Sequence, residues 1–211
     1  MEGERSNTPL DILAKAISMI FHPIFMPLYG MIIIFTAPTL FWYIPFTVKK
    51  ILLFVIATNN ILIPLSLMPF FRYRKIISSW FIEDRKERII PLLSVSFFYS
   101  VTSVIIFRLQ IPLFIKSFIF SAALIAIIST IINFWWKISL HSIGAGSITG
   151  LVIVLSMNMM VTLTWFLIPI ILVSGLIISS RLRLNKHNSR EVYLGFITGF
   201  AGMNLLMLFF Q

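Results

Sequence analysis

Ser180-Arg181-Leu182-Arg183-Leu184-Asn185-Lys186-His187-Asn188-Ser189-Arg190-Glu191 separates two long apolar runs, residues 163–180 and 191–210. A short polar break between runs long enough to cross a bilayer is the signature of a polytopic α-helical membrane protein, because lipid offers no partner for an unpaired backbone group. The break is also the chemically densest stretch of the chain, with a fixed cation, an imidazole and a carboxylate close together. If the second run begins as a helix near Arg190, His187 and Glu191 stand four residues apart, and the carboxylate reaches back to one ring nitrogen while leaving the other free. The competing reading is a basic loop whose charges only anchor it to lipid headgroups.

Composition extends the membrane reading to the whole chain. Of 211 residues, 59% are hydrophobic and 11% charged, with mean hydropathy +1.00, where soluble domains carry roughly 25% charge. The apolar runs do not alternate as barrel strands would, so the expected fold is all-α, a polytopic transmembrane bundle of about six to seven spans in a single domain over residues 1–211. No cysteine is present, which excludes disulfides, thiolate metal sites and cysteine nucleophiles. A net charge of +10 suits anionic headgroups or a phosphorylated substrate, whereas nucleic-acid binding would need a soluble basic face that such a chain lacks.

Along the chain, residues 1–22 form a polar to interfacial segment with Glu2, Glu4 and Arg5 and without the basic start and cleavage site of a signal peptide, so it is expected to be retained. Asp11 and Lys15 interrupt an apolar pattern over 10–20, as in an interfacial helix or the polar end of a first span, and His22-Pro23 marks a bend. His22 by itself reads as a satisfied interfacial residue. Spans are expected at about 23–46, 51–71, 89–107, 117–136, 142–160, 163–180 and 191–210, with Lys49-Lys50 opening the second and the amides Asn59-Asn60 in its middle as helix contacts. Ser142, Gly146 and Gly150 repeat every fourth residue, and Gly195, Gly199 and Gly202 mark the last span in the same way. Two such faces pack closely, which brings the helix starts bearing His141 and His187 together.

Parity then places the connections after the second, fourth and sixth spans on one side. These hold Arg85, Lys86 and Arg88, then Lys137 and His141, then Arg181, His187 and Glu191. Of the 17 Lys and Arg, only Lys49, Lys50, Arg108 and Lys116 fall opposite, which favours a cytoplasmic face for the site, in a bacterial inner membrane. Simple alternatives apply to several of these residues: Glu83, Asp84 and Glu87 as partners of neighbouring cations, Arg183, Lys186 and Arg190 as headgroup contacts, and Lys137 beside Trp135-Trp136 as a snorkelling anchor.

Ser180-Arg181, five residues, His187, three residues and an acid resembles the third signature of the type 2 phosphatidic acid phosphatase superfamily, with Glu191 in place of the usual Asp. Ile138-Ser139-Leu140-His141 is similar to its second signature, Pro-Ser-Gly-His, keeping Ser and His. Asp84-Arg85-Lys86-Glu87-Arg88-Ile89-Ile90-Pro91 stands where the first signature, a Lys followed after six residues by Arg-Pro, is expected. The resemblance covers residues 84–211 and implies a metal-independent phosphatase, without cofactor, acting on a lipid phosphate or diphosphate such as phosphatidate, phosphatidylglycerophosphate or an isoprenyl phosphate. It implies that His187 is the nucleophile, Glu191 the stabiliser of its imidazolium form, and His141 the general acid and then base. Arg181 and the first-signature cations, Arg88 and Arg85 ahead of Lys86, would bind the phosphate, with Lys137, Ser139 and Ser142 beside them, Ser142 and Ile143 offering helix-start N–H groups.

Two other classes remain. A non-catalytic transporter or scaffold would bind an anionic lipid or solute at the same basic mouth, although no ionisable residue stands at mid-membrane depth, where coupled transporters keep ion sites. Magnesium-dependent alcohol phosphotransferases and prenyltransferases need clustered aspartates, and the chain has only Asp11 and Asp84. Beyond substrate and bilayer, the sequence indicates no partner and leaves the oligomeric state open.

Overall fold

A computed structural model describes residues 8–80, 82 and 84–210. The N-terminal acidic and basic residues 2–5 and Glu83 lie outside the described residues. All regular structure described is helical, and seven helical stretches are long and apolar enough to cross a membrane. The protein is an all-α polytopic membrane bundle.

The first stretch, Pro9–Thr36, differs from the expected span at 23–46. It begins as α1 (Pro9–Ile20), started by a Thr8–Asp11 capping box, and turns through a 3-10 segment, Pro23–Phe25, into α2 (Met26–Thr36). The helix stops at Thr36 because Ala37, the residue before Pro38, is extended (ψ 143°), as the proline ring requires. Residues 37–45 are therefore a connection holding a 3-10 turn, Leu40–Tyr43.

The second stretch comprises α3 (Phe46–Ile56), a π-helical segment Ala57–Leu62, and α4 (Ile63–Tyr73). Pro64 has no N–H to give to the carbonyl four residues back, and the widened turn just before it accommodates that loss. Asn60 is buried there, accepting 2.6 Å from the Thr102 hydroxyl of α5 (Ile89–Phe107), which is the helix contact expected of the mid-span amides. Lys49 does not open the span but sits inside α3, its ammonium reaching back to the Phe35 and Trp42 carbonyls at 3.2 and 2.8 Å. Long amine side chains at a membrane boundary behave this way.

Four further helices complete the bundle: α6 (Leu113–Trp135), α7 (Leu140–Met159), α8 (Thr164–Arg183) and α9 (Ser189–Phe209). The most enclosed is α7, buried from Ser142 through Val152 without interruption. It packs parallel to α9 through the small-residue faces. A Cβ built on Gly199 would stand 1.9 Å from the Ile143 carbonyl oxygen, and one on Gly146 would stand 2.1 Å from that of Phe196. Ser139 lies level with Gly195 at the same end, its N–H bonded to the Glu191 carbonyl at 3.2 Å, so both helices start side by side. Gly202 instead faces Ile125 of α6 at ordinary contact distance, 3.4 Å.

Candidate active site

His187 is held by the start of α9. Asn188 is the N-cap, its side chain accepting the Glu191 N–H at 2.9 Å, while the Glu191 carboxylate takes the Asn188 N–H at 3.4 Å and its amide at 3.1 Å. This reciprocal cap holds the carboxylate in place, and one oxygen receives Nδ1–H of His187 at 2.7 Å. The pairing at four residues is thus made by a residue in the turn before the helix and a residue in its first turn. With Nδ1–H donated, the lone pair of the neutral ring is on Nε2. Burial lowers the His187 pKa from the ordinary imidazole value to about 4; the bond to Glu191 opposes that shift, and the charges of Arg88 and Arg181 add to it. The ring is therefore unprotonated at neutral pH.

His141, in the first turn of α7, bonds through Nε2 to the Ser18 carbonyl of α1 at 3.0 Å. A carbonyl only accepts, so Nε2 carries hydrogen and Nδ1 remains for proton exchange. Arg181, in the last turn of α8, donates to the Ser18 hydroxyl at 3.4 Å, while its buried Nε has no acceptor among the described residues. Arg88 precedes α5 and donates Nε–H to the Ile82 carbonyl at 3.0 Å. Arg88, His141, Arg181 and His187 all line one cavity of about 910 Å³. Its inner walls are apolar, from Met26 and Pro27 of α2, Leu65 and Met68 of α4, and Phe118 and Ile125 of α6. Cations and imidazoles at one end and hydrocarbon at the other match an amphiphile with an anionic head.

Other expected site residues go elsewhere. Arg85 is consumed at the C-terminal end of α6, donating to the Asn133 and Phe134 carbonyls while Asn133 returns a bond to the Arg85 carbonyl. Ser139 is the N-cap of α7 and binds the Ser142 hydroxyl at 2.9 Å, both fully buried. The Ser142 and Ile143 N–H groups are likewise given to Ser139. Lys86 and Lys137 do not border the cavity, whereas Lys186 does. Asp84 and Glu87 take loop donors rather than cations, from the Lys86 N–H and from Ser78. Arg183 pairs with Asp11 at 2.9 Å.

Sequence reasoning missed the wall supplied by α1. Lys15, Ser18 and His22 border the same cavity, with Met19 beside them, while Leu10, Leu13 and Ile20 stay exposed on the outer flank. The signal was a polar stripe at 11, 15, 18 and 22, one helical face, whose apolar opposite face is outermost. Among the described residues no group of three or more His, Cys, Asp and Glu is arranged to hold a metal ion. No protein-family model, curated protein or solved structure matches the chain.

Proposed function

We propose that the protein is a membrane lipid phosphatase of the type 2 phosphatidic acid phosphatase kind, hydrolysing a lipid phosphate or diphosphate through a phosphohistidine. The observation that carries this reading is His187, its Nδ1–H fixed on Glu191, sharing the mouth of an apolar cavity with Arg181, whose buried Nε has no acceptor among the described residues. A buried guanidinium nitrogen without an acceptor costs free energy, and a phosphoryl oxygen would satisfy it.

In the proposed reaction Nε2 of His187 attacks phosphorus as the bond to the lipid oxygen breaks. That oxygen takes a proton from Nδ1 of a protonated His141. Positive charge on the phosphorylated imidazole is balanced by Glu191 through Nδ1–H, and Arg181 and Arg88 balance the charge on the equatorial oxygens. Water then gives a proton to His141 and attacks phosphorus, the N–P bond breaks, and phosphate leaves with His187 restored. The lipid tail occupies the apolar part of the cavity. The distribution of Lys and Arg favours a cytoplasmic site in a bacterial inner membrane.

Release of inorganic phosphate by purified protein from phosphatidate, phosphatidylglycerophosphate and isoprenyl mono- and diphosphates, in excess EDTA, tests this reading. Turnover of at least one of them is expected, abolished in His187→Ala. Binding without turnover would favour a transporter or scaffold, and turnover that needs added magnesium would overturn the proposed chemistry.

A further inference from the structure

We infer that His22 is a third histidine of the site, donating Nε2–H to the anionic group held by Arg181 and Arg88; this rests on the phosphate-binding part of the reading above. His22 stands at the joint between α1 and α2, where Pro23 supplies no N–H and the first available backbone donor is that of Ile24. That N–H points to Nδ1 of His22 at 3.3 Å. An incoming donor requires a lone pair on Nδ1, so the proton of the neutral ring is on Nε2. No polar atom among the described residues takes that proton. The ring lines the cavity together with Arg88, His141, Arg181 and His187, and it stands edge-on to His141, centroids 5.4 Å apart and planes at 83°.

The three histidines are thus held in different ways. His187 gives Nδ1–H to a carboxylate, His141 gives Nε2–H to a carbonyl, and His22 receives at Nδ1, keeping its own N–H for what enters the cavity. A neutral donor is useful at this place. Arg181 and Arg88 already supply positive charge, and an uncharged N–H adds a directed hydrogen bond to a phosphoryl oxygen without adding to the repulsion between them. His22 forms no covalent bond in this scheme. It positions the phosphoryl group through the same face that His141 serves.

Two substitutions separate this role from that of a turn cap. His22→Asn keeps an acceptor at the position of Nδ1 for the Ile24 N–H and removes the donor at Nε2; His22→Gln keeps a donor near Nε2 and removes the cap acceptor. The probes are orthovanadate binding to the detergent-solubilised protein, followed by vanadium NMR, and phosphate release in the same preparations, with Tm recorded for each. His22→Asn is expected to weaken vanadate binding and kcat/KM about tenfold or more at unchanged Tm, as befits loss of a hydrogen bond to a charged group. His22→Gln should recover most of the affinity even where its Tm falls. If His22→Asn binds and turns over like the wild type, or if His22→Gln is the weaker of the two, the inference is overturned while the hydrolase reading stands. If the variants keep the expected order in vanadate binding but the wild type releases phosphate from no lipid, the inference stands and the hydrolase reading falls. A wild type that does not bind vanadate overturns both.

Discussion

A histidine that attacks phosphorus and a histidine that passes a proton to the leaving oxygen fail differently when removed. In the proposed reaction His187→Ala cannot form the covalent intermediate and loses turnover for every substrate. His141→Ala should cost on the order of 10²–10⁴-fold with an alkyl lipid phosphate, whose leaving oxygen needs the proton. With an aryl phosphate, which departs unprotonated, the first step of His141→Ala should recover and phosphohistidine should accumulate at residue 187, because no base activates water. Single-turnover kinetics with trapping of the phosphoprotein measure this; equal loss of the aryl reaction in both variants would refute the assignment of roles. The depressed pKa of His187 gives the sign of one pH effect. The unfolded chain takes up this proton near pH 6.5 and the native protein only near 4, so the contribution of His187 to stability is present above pH 6.5 and is lost as pH falls through that window. Tm of the wild type should therefore fall more steeply than that of His187→Gln between those values.

The site depends on how closely α7 and α9 approach, since one carries His141 and the other positions His187. At Gly199 an added methyl group would meet the Ile143 carbonyl oxygen at 1.9 Å and its carbon at 2.7 Å. Both are backbone atoms that no rotamer change moves aside, so the helices must part. Gly199→Ala is expected to lose on the order of 1–3 kcal/mol, the usual cost of overpacking, and to lose activity as well, because parting the helices separates the two histidines. Gly175, on α8, has nothing within 4 Å of an added Cβ. Gly175→Ala should leave activity unchanged and stability equal or higher by up to about 1 kcal/mol, the difference in helix propensity. Thermal unfolding in detergent and phosphate release on the same samples check both, and a Gly199→Ala protein as stable and active as the wild type would show that the close approach is not required.

Seven crossings put the ends that carry Arg88, His141 and His187 on one side. The chain contains no cysteine, so single cysteines replacing Lys75, Asn185 and Arg108, all exposed, report topology without background. Membrane-impermeant thiol labelling in oriented vesicles should group residues 75 and 185 together and place 108 opposite. Labelling of 75 and 185 from different sides would break the parity on which the shared site depends.

What the amino-acid sequence determined by itself was whatever depends on neighbours along the chain or on composition. Hydropathy decided the membrane class, prolines ended or bent helices, and spacing paired His187 with Glu191 because a helix start carries that geometry wherever it occurs. The glycine stripes foretold the α7 and α9 contact, since a missing Cβ is visible without a fold. The tertiary structure decided which polar side chains reached the cavity. Arg85 was drawn to the open carbonyls at the end of α6 and Ser139 to the start of α7, because unsatisfied backbone groups in a bundle compete for the same donors and acceptors as a ligand. Ser18 joined the site through a bond to His141 across 123 residues and His22 through its ring contact with the same histidine, distances over which no periodicity carries information. The polar stripe of α1 was legible, but its direction was not: in lipid the apolar face of a helix turns outward as readily as inward, and only the packing against α8 aimed Lys15, Ser18 and His22 at the cavity.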